Sequence, residues 1–243
     1  MIIQTEGIVV KRVNYSDDDL ILTIYTKEFG NIVALARGAR KNKSKYLSCA
    51  QLLVKAQYDF YKGKKYYSIN NSEILNGHYK IRENLKTYAY GMFSAELIVK
   101  LLLEEDENKR IYAMFDKYLE KLILLDDDCI SILNLSFMVK LISMIGYRID
   151  YSEVDNSNSK FFLNIGQGTI TSIPIDSFFV ELDSKVVNFL IRITYIKFEE
   201  VVNIDYNREI VQILQKILLD YIYYHTDIRE LKSLSFIKDI EIY

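Results

Sequence analysis

A basic segment at residues 37–45, RGARKNKSK, is the densest group of side chains with recognisable chemistry in this sequence. It places five cations in nine positions, although the whole chain of 243 residues has a formal net charge of -2. Closely spaced lysine and arginine neutralise phosphates and release counterions, which gives salt-sensitive binding with little sequence preference. The segment is therefore a candidate for binding a DNA or RNA backbone, although a merely solvated basic loop would have the same composition. Its cations are Arg37, Arg40, Lys41, Lys43 and Lys45.

The other basic residues of this region are also grouped. One pair ends the first predicted strand, and a second group occupies the turn KGKK. Residues 1–75 hold twelve Lys and Arg against seven Asp and Glu, a net of +5, so the remaining residues carry -7. This asymmetry indicates a polyanion partner for the N-terminal part. Nearby tyrosines could stack on bases, but burial in the core is the commoner fate of such residues. The second group of cations is Lys11, Arg12, Lys62, Lys64 and Lys65, and the tyrosines are Tyr58, Tyr66 and Tyr67.

The patterns that would indicate catalysis or metal binding are missing from the sequence. Cys49 and Cys129 form neither a CxxC motif nor a disulfide framework, and His78 and His225 are not part of an HExxH motif. GQG at 166–168 does not complete a dinucleotide-binding motif, and neither a P-loop nor a GxSxG nucleophile motif is present. We therefore predict no enzymatic activity, no cofactor and no metal site.

The first 75 residues read as short strands that would position the basic segments. Five stretches rich in β-branched and aromatic residues alternate between apolar and polar positions, which gives each strand one buried face. Five strands in a segment too short for a sandwich favour a small closed barrel. The stretches are residues 7–13, 20–26, 31–37, 54–61 and 66–69.

From about residue 80 the apolar residues recur every three or four positions, which is typical of helices. Charged breaks at 104–110 and 126–128 separate the first three stripes. Residues 150–176 interrupt the helices, and Gly166 and Gly168 between two apolar runs indicate a small hairpin. The sequence thus predicts an α+β protein, with a barrel over residues 1–78, a helical domain over 79–243 and an insertion at 150–176. The apolar stripes run through residues 85–102, 111–122, 130–144, 184–197 and 206–225.

No stretch reaches the ~18 uncharged apolar residues of a membrane span. The N-terminal residues MIIQTEGIVV also lack the basic region and cleavage site of a secretory signal. We expect a cytoplasmic protein that does not bind membranes.

The N-terminal motifs, in order, resemble the N-terminal domain of the RecO family of bacterial recombination mediators. They are GIVVKRVNY, the acidic turn from Tyr15 to Asp19, LILTIYTKEFGNIVALARGARKNKS and YKGKKYYSINNSEIL. The family's T-x-E-x-G step corresponds to Thr26, Glu28 and Gly30. The similarity covers most of residues 5–75 and continues more weakly through the helices to HTDIRELKSLSFI.

The resemblance implies a five-stranded OB-fold barrel, followed by a helical domain with a small inserted hairpin. It also implies a non-catalytic, nucleoid-associated protein that binds single- and double-stranded DNA and anneals complementary strands. Its implied partners are RecR, the acidic C-terminal tail of single-strand-binding protein and, indirectly, RecA. The five cations of residues 37–45 would contact phosphate, with the second group of cations in a supporting role. For the acidic tail, an apolar groove on the helical domain with a flanking cation is expected, and Lys140 and Arg148 are candidates for that cation.

Two features depart from the family pattern. Members often carry a four-cysteine zinc module after a Gly-Tyr pair, here Gly146 and Tyr147, yet residues 150–173 contain no cysteine. We expect apolar packing and a hairpin to replace the metal. The family's Pro-Phe after the basic loop is replaced by Leu52 and Leu53.

The acidic residues at 17–19 are interpreted as a structural cap or a partner contact rather than a metal site.

Two other classes of function are weighed against the mediator. In one, the chain is a non-catalytic scaffold whose barrel binds protein and whose acidic helices are the working surface. In the other, it is an enzyme, which would require a pocket with converging reactive side chains that the sequence does not contain. Failure to bind single-stranded DNA at low salt would favour the scaffold.

Overall fold

The N-terminal part of the chain forms five β-strands, as the alternating pattern predicts. The computed structural model describes residues 2–155, 157–175, 177–205 and 207–241. The first and last strands extend beyond the predicted stretches. The strands are β1 (Ile2–Asn14), β2 (Leu20–Thr26), β3 (Gly30–Ala36), β4 (Lys55–Lys62) and β5 (Tyr67–Asn76).

Each of these strands pairs with two others, in the order β1-β2-β3-β5-β4, so the sheet closes into a barrel. β3 and β5 run parallel, whereas the other pairs of barrel strands are antiparallel. The alternating residues Leu20, Leu22 and Ile24 are all buried, together with Tyr58 and Phe60 from β4. Burial of each such side chain stabilises the fold by about 1.5–3 kcal/mol, before the cost of ordering the chain. The predicted mixed α+β class and the five-stranded N-terminal sheet are confirmed.

The turn between β2 and β3 explains the T-x-E-x-G step. The Thr26 hydroxyl donates to the Gly30 carbonyl at 2.8 Å and accepts a hydrogen bond from the Phe29 amide at 3.1 Å. Gly30 has a φ of 61°, and a Cβ there would lie 2.2 Å from the Asp106 carbonyl oxygen. Only glycine fits this position, because both the left-handed backbone and the close approach exclude a side chain.

In the part of the chain that the structure describes, six α-helices follow the barrel. An Asn or Asp side chain accepts backbone N–H bonds at the start of each of the first five, which satisfies amides that would otherwise lack a partner. The caps include Asn108 and Asp126, so the charged breaks of the sequence contain helix starts. None of the described helices combines the length and apolarity that a membrane crossing requires. The helices are α1 (Leu85–Leu101), α2 (Lys109–Leu122), α3 (Asp127–Met144), α4 (Ser184–Tyr195), α5 (Arg208–His225) and α6 (Lys232–Glu241).

The predicted hairpin belongs to a three-stranded sheet of order β7-β6-β8. The third strand was not predicted. The buried Asn164 amide donates to the Thr171 hydroxyl at 2.8 Å, and its oxygen accepts the Ile175 amide at 2.9 Å. Phe161 and Leu163 are buried beneath the sheet. Amide hydrogen bonds and apolar packing thus stabilise this segment, as expected. The strands are β6 (Lys160–Asn164), β7 (Thr169–Thr171) and β8 (Phe179–Asp183).

The chain divides into two compact units. One contains the barrel and continues to Leu124, and it also includes the segment from Leu231 onward; the other spans Leu125–Glu230. The predicted change from strands to helices near residue 78 lies inside the first unit, and the domain boundary at that position stays a prediction. Four of the predicted segment boundaries, at positions 1, 176, 206 and 243, lie outside the residues that the structure describes.

Candidate nucleic-acid interface

The start of the basic segment is held by the turn between β1 and β2. The Asp19 carboxylate accepts a hydrogen bond from the Gly38 amide at 2.7 Å. The Arg40 amide donates to the Asp18 carbonyl at 2.9 Å, and the Arg40 guanidinium donates to the Ser16 carbonyl at 2.7 Å. The acidic turn therefore supports the basic segment, in agreement with its interpretation as a structural cap.

Lys41 forms an ion pair with Asp18, with 3.2 Å between Nζ and Oδ2. The two side chains are 63% and 55% exposed. An ion pair at this exposure is worth about 0–1 kcal/mol, so a phosphate can replace the carboxylate at little cost. Arg37 and Lys43 are exposed, and neither forms an ion pair with any part of the chain that the structure describes.

The end of the basic segment is fixed to β5. The Tyr46 hydroxyl donates to the carbonyls of Ile69 and Asn70, each at 3.0 Å. The Lys45 ammonium donates to the same Asn70 carbonyl at 3.1 Å and lies 4.8 Å from the centre of the Tyr46 ring. The segment is thus anchored at both ends, with Lys43 exposed between them. This ordering reduces the entropy that a ligand would have to remove on binding.

The turn between β4 and β5 contacts the same acidic turn. The rings of Tyr15 and Tyr66 meet edge to face with 6.3 Å between their centres. The Lys65 ammonium lies 4.9 Å from the centre of the Tyr66 ring, and this tyrosine raises the pKa of Lys65. Contacts therefore run from Lys41 through the acidic turn to Lys65, and three loops of the barrel form one surface.

The remaining predicted cations differ in their surroundings. Lys62 lies 3.2 Å from the Glu105 carboxylate, which also accepts the Tyr67 hydroxyl at 2.9 Å, so its charge is neutralised locally. The Arg12 guanidinium donates to the Gln51 side-chain oxygen at 3.0 Å. Lys11 and Lys64 are exposed. Lys62 is therefore the member of the second group that would exchange an exposed carboxylate partner for a phosphate, as Lys41 would in the first group.

The tyrosines divide between the core and the surface. Tyr58 is fully buried, and its hydroxyl donates to the Cys49 carbonyl at 2.8 Å. Tyr67 is also buried, so the core interpretation is confirmed for both and neither presents a face to a base. Tyr66 is partly exposed, and Tyr15, which the sequence reasoning missed as a stacking candidate, is 55% exposed. The position of Tyr15 at the start of the acidic turn was the feature of the sequence that could have identified it as a stacking candidate.

The two cations suggested on the helical part lie in the second unit. The Lys140 ammonium donates to the Thr194 carbonyl at 2.5 Å, and burial lowers its pKa. The Arg148 guanidinium donates to the Tyr195 hydroxyl at 3.2 Å. A separate open groove of about 400 Å³ lies between α4 and the segment before α5. It is lined by Lys185, Asn188, Phe189, Arg192, Asp205, Asn207 and Ile210.

Comparisons with known proteins cover nearly the whole chain. Residues 1–78 match the family described as Recombination protein O N terminal, and residues 82–235 match Recombination protein O C terminal. The DNA repair protein RecO of Thermoanaerobacter sp. (strain X514) is 28% identical over an alignment of 252 positions, which covers 99% of this chain and 98% of that protein. Its counterpart in Caldanaerobacter subterraneus subsp. tengcongensis is 29% identical over 96% of both chains. That of Acetivibrio thermocellus is 33% identical over 60% of this chain and 57% of its own.

Proposed function

Because the chain belongs to the RecO family of DNA repair proteins, we propose that it binds single- and double-stranded DNA through the phosphate backbone and anneals complementary strands. The observation that carries this proposal is the basic segment anchored at both ends by Asp19 and Tyr46. Phosphate contacts position a strand without reading its sequence. A mediator that anneals arbitrary strands needs this property, because the base edges must stay free to pair.

The proposed phosphate contacts fall into two ranks. Arg37, Arg40, Lys41, Lys43 and Lys45 form the first rank, since they lie on one ordered segment. Lys11, Arg12, Lys62, Lys64 and Lys65 form the second, and Lys62, like Lys41, pairs with an exposed carboxylate that a phosphate can replace. Tyr15 and Tyr66 lie on the same surface, where their rings can contact unpaired bases.

The proposed partners act on other parts of the protein. We propose that the acidic tail of single-strand-binding protein occupies the groove of α4, where Lys185 and Arg192 would pair with carboxylates and Phe189 would contact an apolar side chain. Together with RecR, the protein would help RecA onto coated single strands. In this role it carries out no covalent chemistry and works in the cytoplasm at the nucleoid.

A triple variant tests the phosphate assignment. Replacing Arg40, Lys41 and Lys43 with Ala should weaken binding of labelled DNA and reduce the slope of log K against log salt by at most roughly 2 on single strands and 3 on duplex. The control replaces three exposed cations of the second unit, Lys197, Lys216 and Arg229, with Ala, which changes the net charge equally. Unchanged affinity and slope in the first variant, or an equal loss in both, would refute the assignment.

Strand annealing then tests the mediator role. The triple variant should anneal strands coated with single-strand-binding protein more slowly than the wild type. Removal of that protein's acidic tail should slow annealing by the wild type. If the wild type anneals strands with neither the intact nor the tail-less single-strand-binding protein, the mediator role is refuted and DNA binding alone remains. Failure to bind DNA at ~50 mM salt, where phosphate binding is strong, would favour the scaffold instead.

A further inference from the structure

An exposed apolar patch lies on the second unit, on and beside the three-stranded sheet. Five of its members are between 45% and 65% exposed: Ile173, Ile175, Phe178, Phe179 and Tyr224. Contiguous exposed apolar surface of this kind commonly marks a site of protein interaction. The patch consists of Phe162, Ile173, Ile175, Phe178, Phe179 and Tyr224.

Contacts within the second unit join the aromatic members of the patch in two pairs. The rings of Phe162 and Phe179 meet edge to face at 5.5 Å, and those of Phe178 and Tyr224 lie 5.8 Å apart. The Ile175 amide bonds to Asn164, which is the register partner of Phe179. The patch therefore begins with Phe162 and Phe179 on β6 and β8, and its other members lie on the loop that precedes β8 and on α5.

The sheet also offers an open edge beside this patch. β8 pairs with β6 on one side, and its other side has no backbone partner among the described residues. An unpaired strand edge presents N–H and C=O groups to which an extended peptide can add as a new strand. In such a complex, the main chain supplies affinity and the side chains on one face supply specificity.

The net charge of the segment that contains most of the patch indicates which kind of partner it can bind. Residues 150–183 contain six Asp and Glu against the single cation Lys160, a net of -5. The exposed face of β8 presents Phe179, Glu181 and Asp183 in alternation. Lys160 lies 2.6 Å from Glu181, which neutralises only one of these carboxylates. A nucleic acid would be repelled here, whereas a segment with both apolar and basic side chains is complementary.

We propose that β8 and the apolar patch bind an extended protein segment, which adds as a strand to the free edge of β8 and carries both apolar and basic side chains on the face that it shares with Phe179, Glu181 and Asp183. Because side chains on one face of a strand recur every second residue, an apolar side chain of the segment lies beside Phe179, and basic side chains two and four residues away lie near Glu181 and Asp183. This inference is independent of DNA binding by the barrel, because the residues involved belong to the second unit.

Labelled peptides of roughly ten residues, slightly longer than a typical strand, test the proposal with the full chain. A peptide with Val, Lys and Lys in turn at every second position, separated by Thr, should bind at least about tenfold more tightly than one in which Glu replaces Lys or one in which Ser replaces Val. Methylation of alternate backbone amides of the Val and Lys peptide should abolish binding, because the added strand can then no longer donate its main-chain hydrogen bonds. Equal affinity for all peptides would overturn the proposal, and binding of the methylated peptide would overturn strand addition.

Variants locate the site. Phe178→Ser with Phe179→Ser should weaken binding by about tenfold or more. Ile74→Ser with Leu75→Ser removes exposed apolar side chains from β5 instead and should have no effect. If the phenylalanine variant does not fold, Ile173→Ser and Glu181→Lys test the two sides of the site separately. Loss of concentration-dependent self-association in the patch variants would identify a second copy as the occupant and overturn the proposed partner.

Discussion

The ion pair between Lys55 and Asp116 provides the sharpest test of how the barrel is held to α2. Lys55 Nζ lies 2.6 Å from Asp116 Oδ2, and each side chain is only 17% exposed. Glu6 lies 3.6 Å from the same ammonium. Although burial opposes the charged form, the hydrogen bond and charge of Asp116, followed by the charge of Glu6, raise the pKa of Lys55. Asp116→Ala would therefore leave a charged lysine with a weaker partner in a nearly closed site.

The size of this effect follows from the burial. Breaking a buried pair costs about 3–5 kcal/mol, and the remaining Glu6 contact reduces the expected loss to about 2–3 kcal/mol. For a unit of this size, that corresponds to a fall of roughly 10 °C in Tm. Urea and thermal unfolding followed by circular dichroism would measure it. The control is Glu107→Ala, which removes an exposed pair with Lys109 at 3.1 Å and should cost about 0–1 kcal/mol.

Removal of both charges should recover part of this stability. Lys55→Met combined with Asp116→Leu removes both charges and fills the space with apolar atoms, so this double variant should be more stable than Asp116→Ala. Equal losses in Asp116→Ala and Glu107→Ala would show that burial of the pair does not matter. A double variant as unstable as Asp116→Ala would show that the loss does not come from the unpaired charge.

Two further titratable groups give predictions within the first unit. Burial lowers the pKa of His78, whose Nδ1 donates to the Leu53 carbonyl at 2.8 Å. The contribution of neutral His78 to the stability of the fold is therefore present above pH 6.5, and it is lost as the pH falls through the lower pKa of the folded state. The unfolding free energy of the wild type should therefore fall more between pH 7.5 and 5.5 than that of His78→Asn, and parallel curves would contradict this. Burial opposes the charged form of Glu96, but hydrogen bonds from Ser233 and Lys232 lower the pKa of this carboxyl group. The carboxylate therefore stabilises the start of α6 above pH 4.5, and this stabilisation is lost as the pH falls through the pKa of Glu96 in the folded state. Glu96→Gln should cost about 1 kcal/mol and speed amide exchange in α6, and unchanged exchange would contradict this.

The sequence predicts the regular elements well where one periodicity dominates. Leu20, Leu22 and Ile24 alternate cleanly with partly exposed residues. The stripe through 85–102 predicts the helix α1, but Leu85 at its start is 58% exposed, and the buried face includes Tyr90, Leu97 and Ile98 instead. By contrast, FFLNIGQGTITSIPI contains no charged residue. Exposed residues such as Ile173 and Ile175 therefore look identical to buried ones such as Ile165 and Ile170. This part of the exposed patch was missed for this reason, whereas the third strand lies beyond the stretch, at Phe179–Asp183.

Contacts between distant residues could not be predicted from spacing. Asp19 and Gly38 are nineteen positions apart, and Lys55 and Asp116 are sixty-one apart. Composition identifies carboxylates and cations in these segments, but only the closed barrel decides which of them meet. The same limit explains why Tyr66 could not be separated from Tyr58 as a stacking candidate, since both lie among alternating aromatic residues.

Pairing inside the barrel unit changes what its net charge means. The count of +5 for residues 1–75 treats every cation alike. In the structure, Lys27 pairs with Glu6, Lys55 with Asp116, and Lys62 with Glu105. These cations contribute little field at the surface, because each has a carboxylate within 4 Å. Within the segment 37–45, Lys41 is paired in the same way, with Asp18. The positive potential that a DNA backbone would meet is therefore concentrated on the other cations of the anchored segment 37–45 and on the neighbouring turn at 64–65. Because that surface is ordered before a ligand arrives, charge and preorganisation favour binding at the same place.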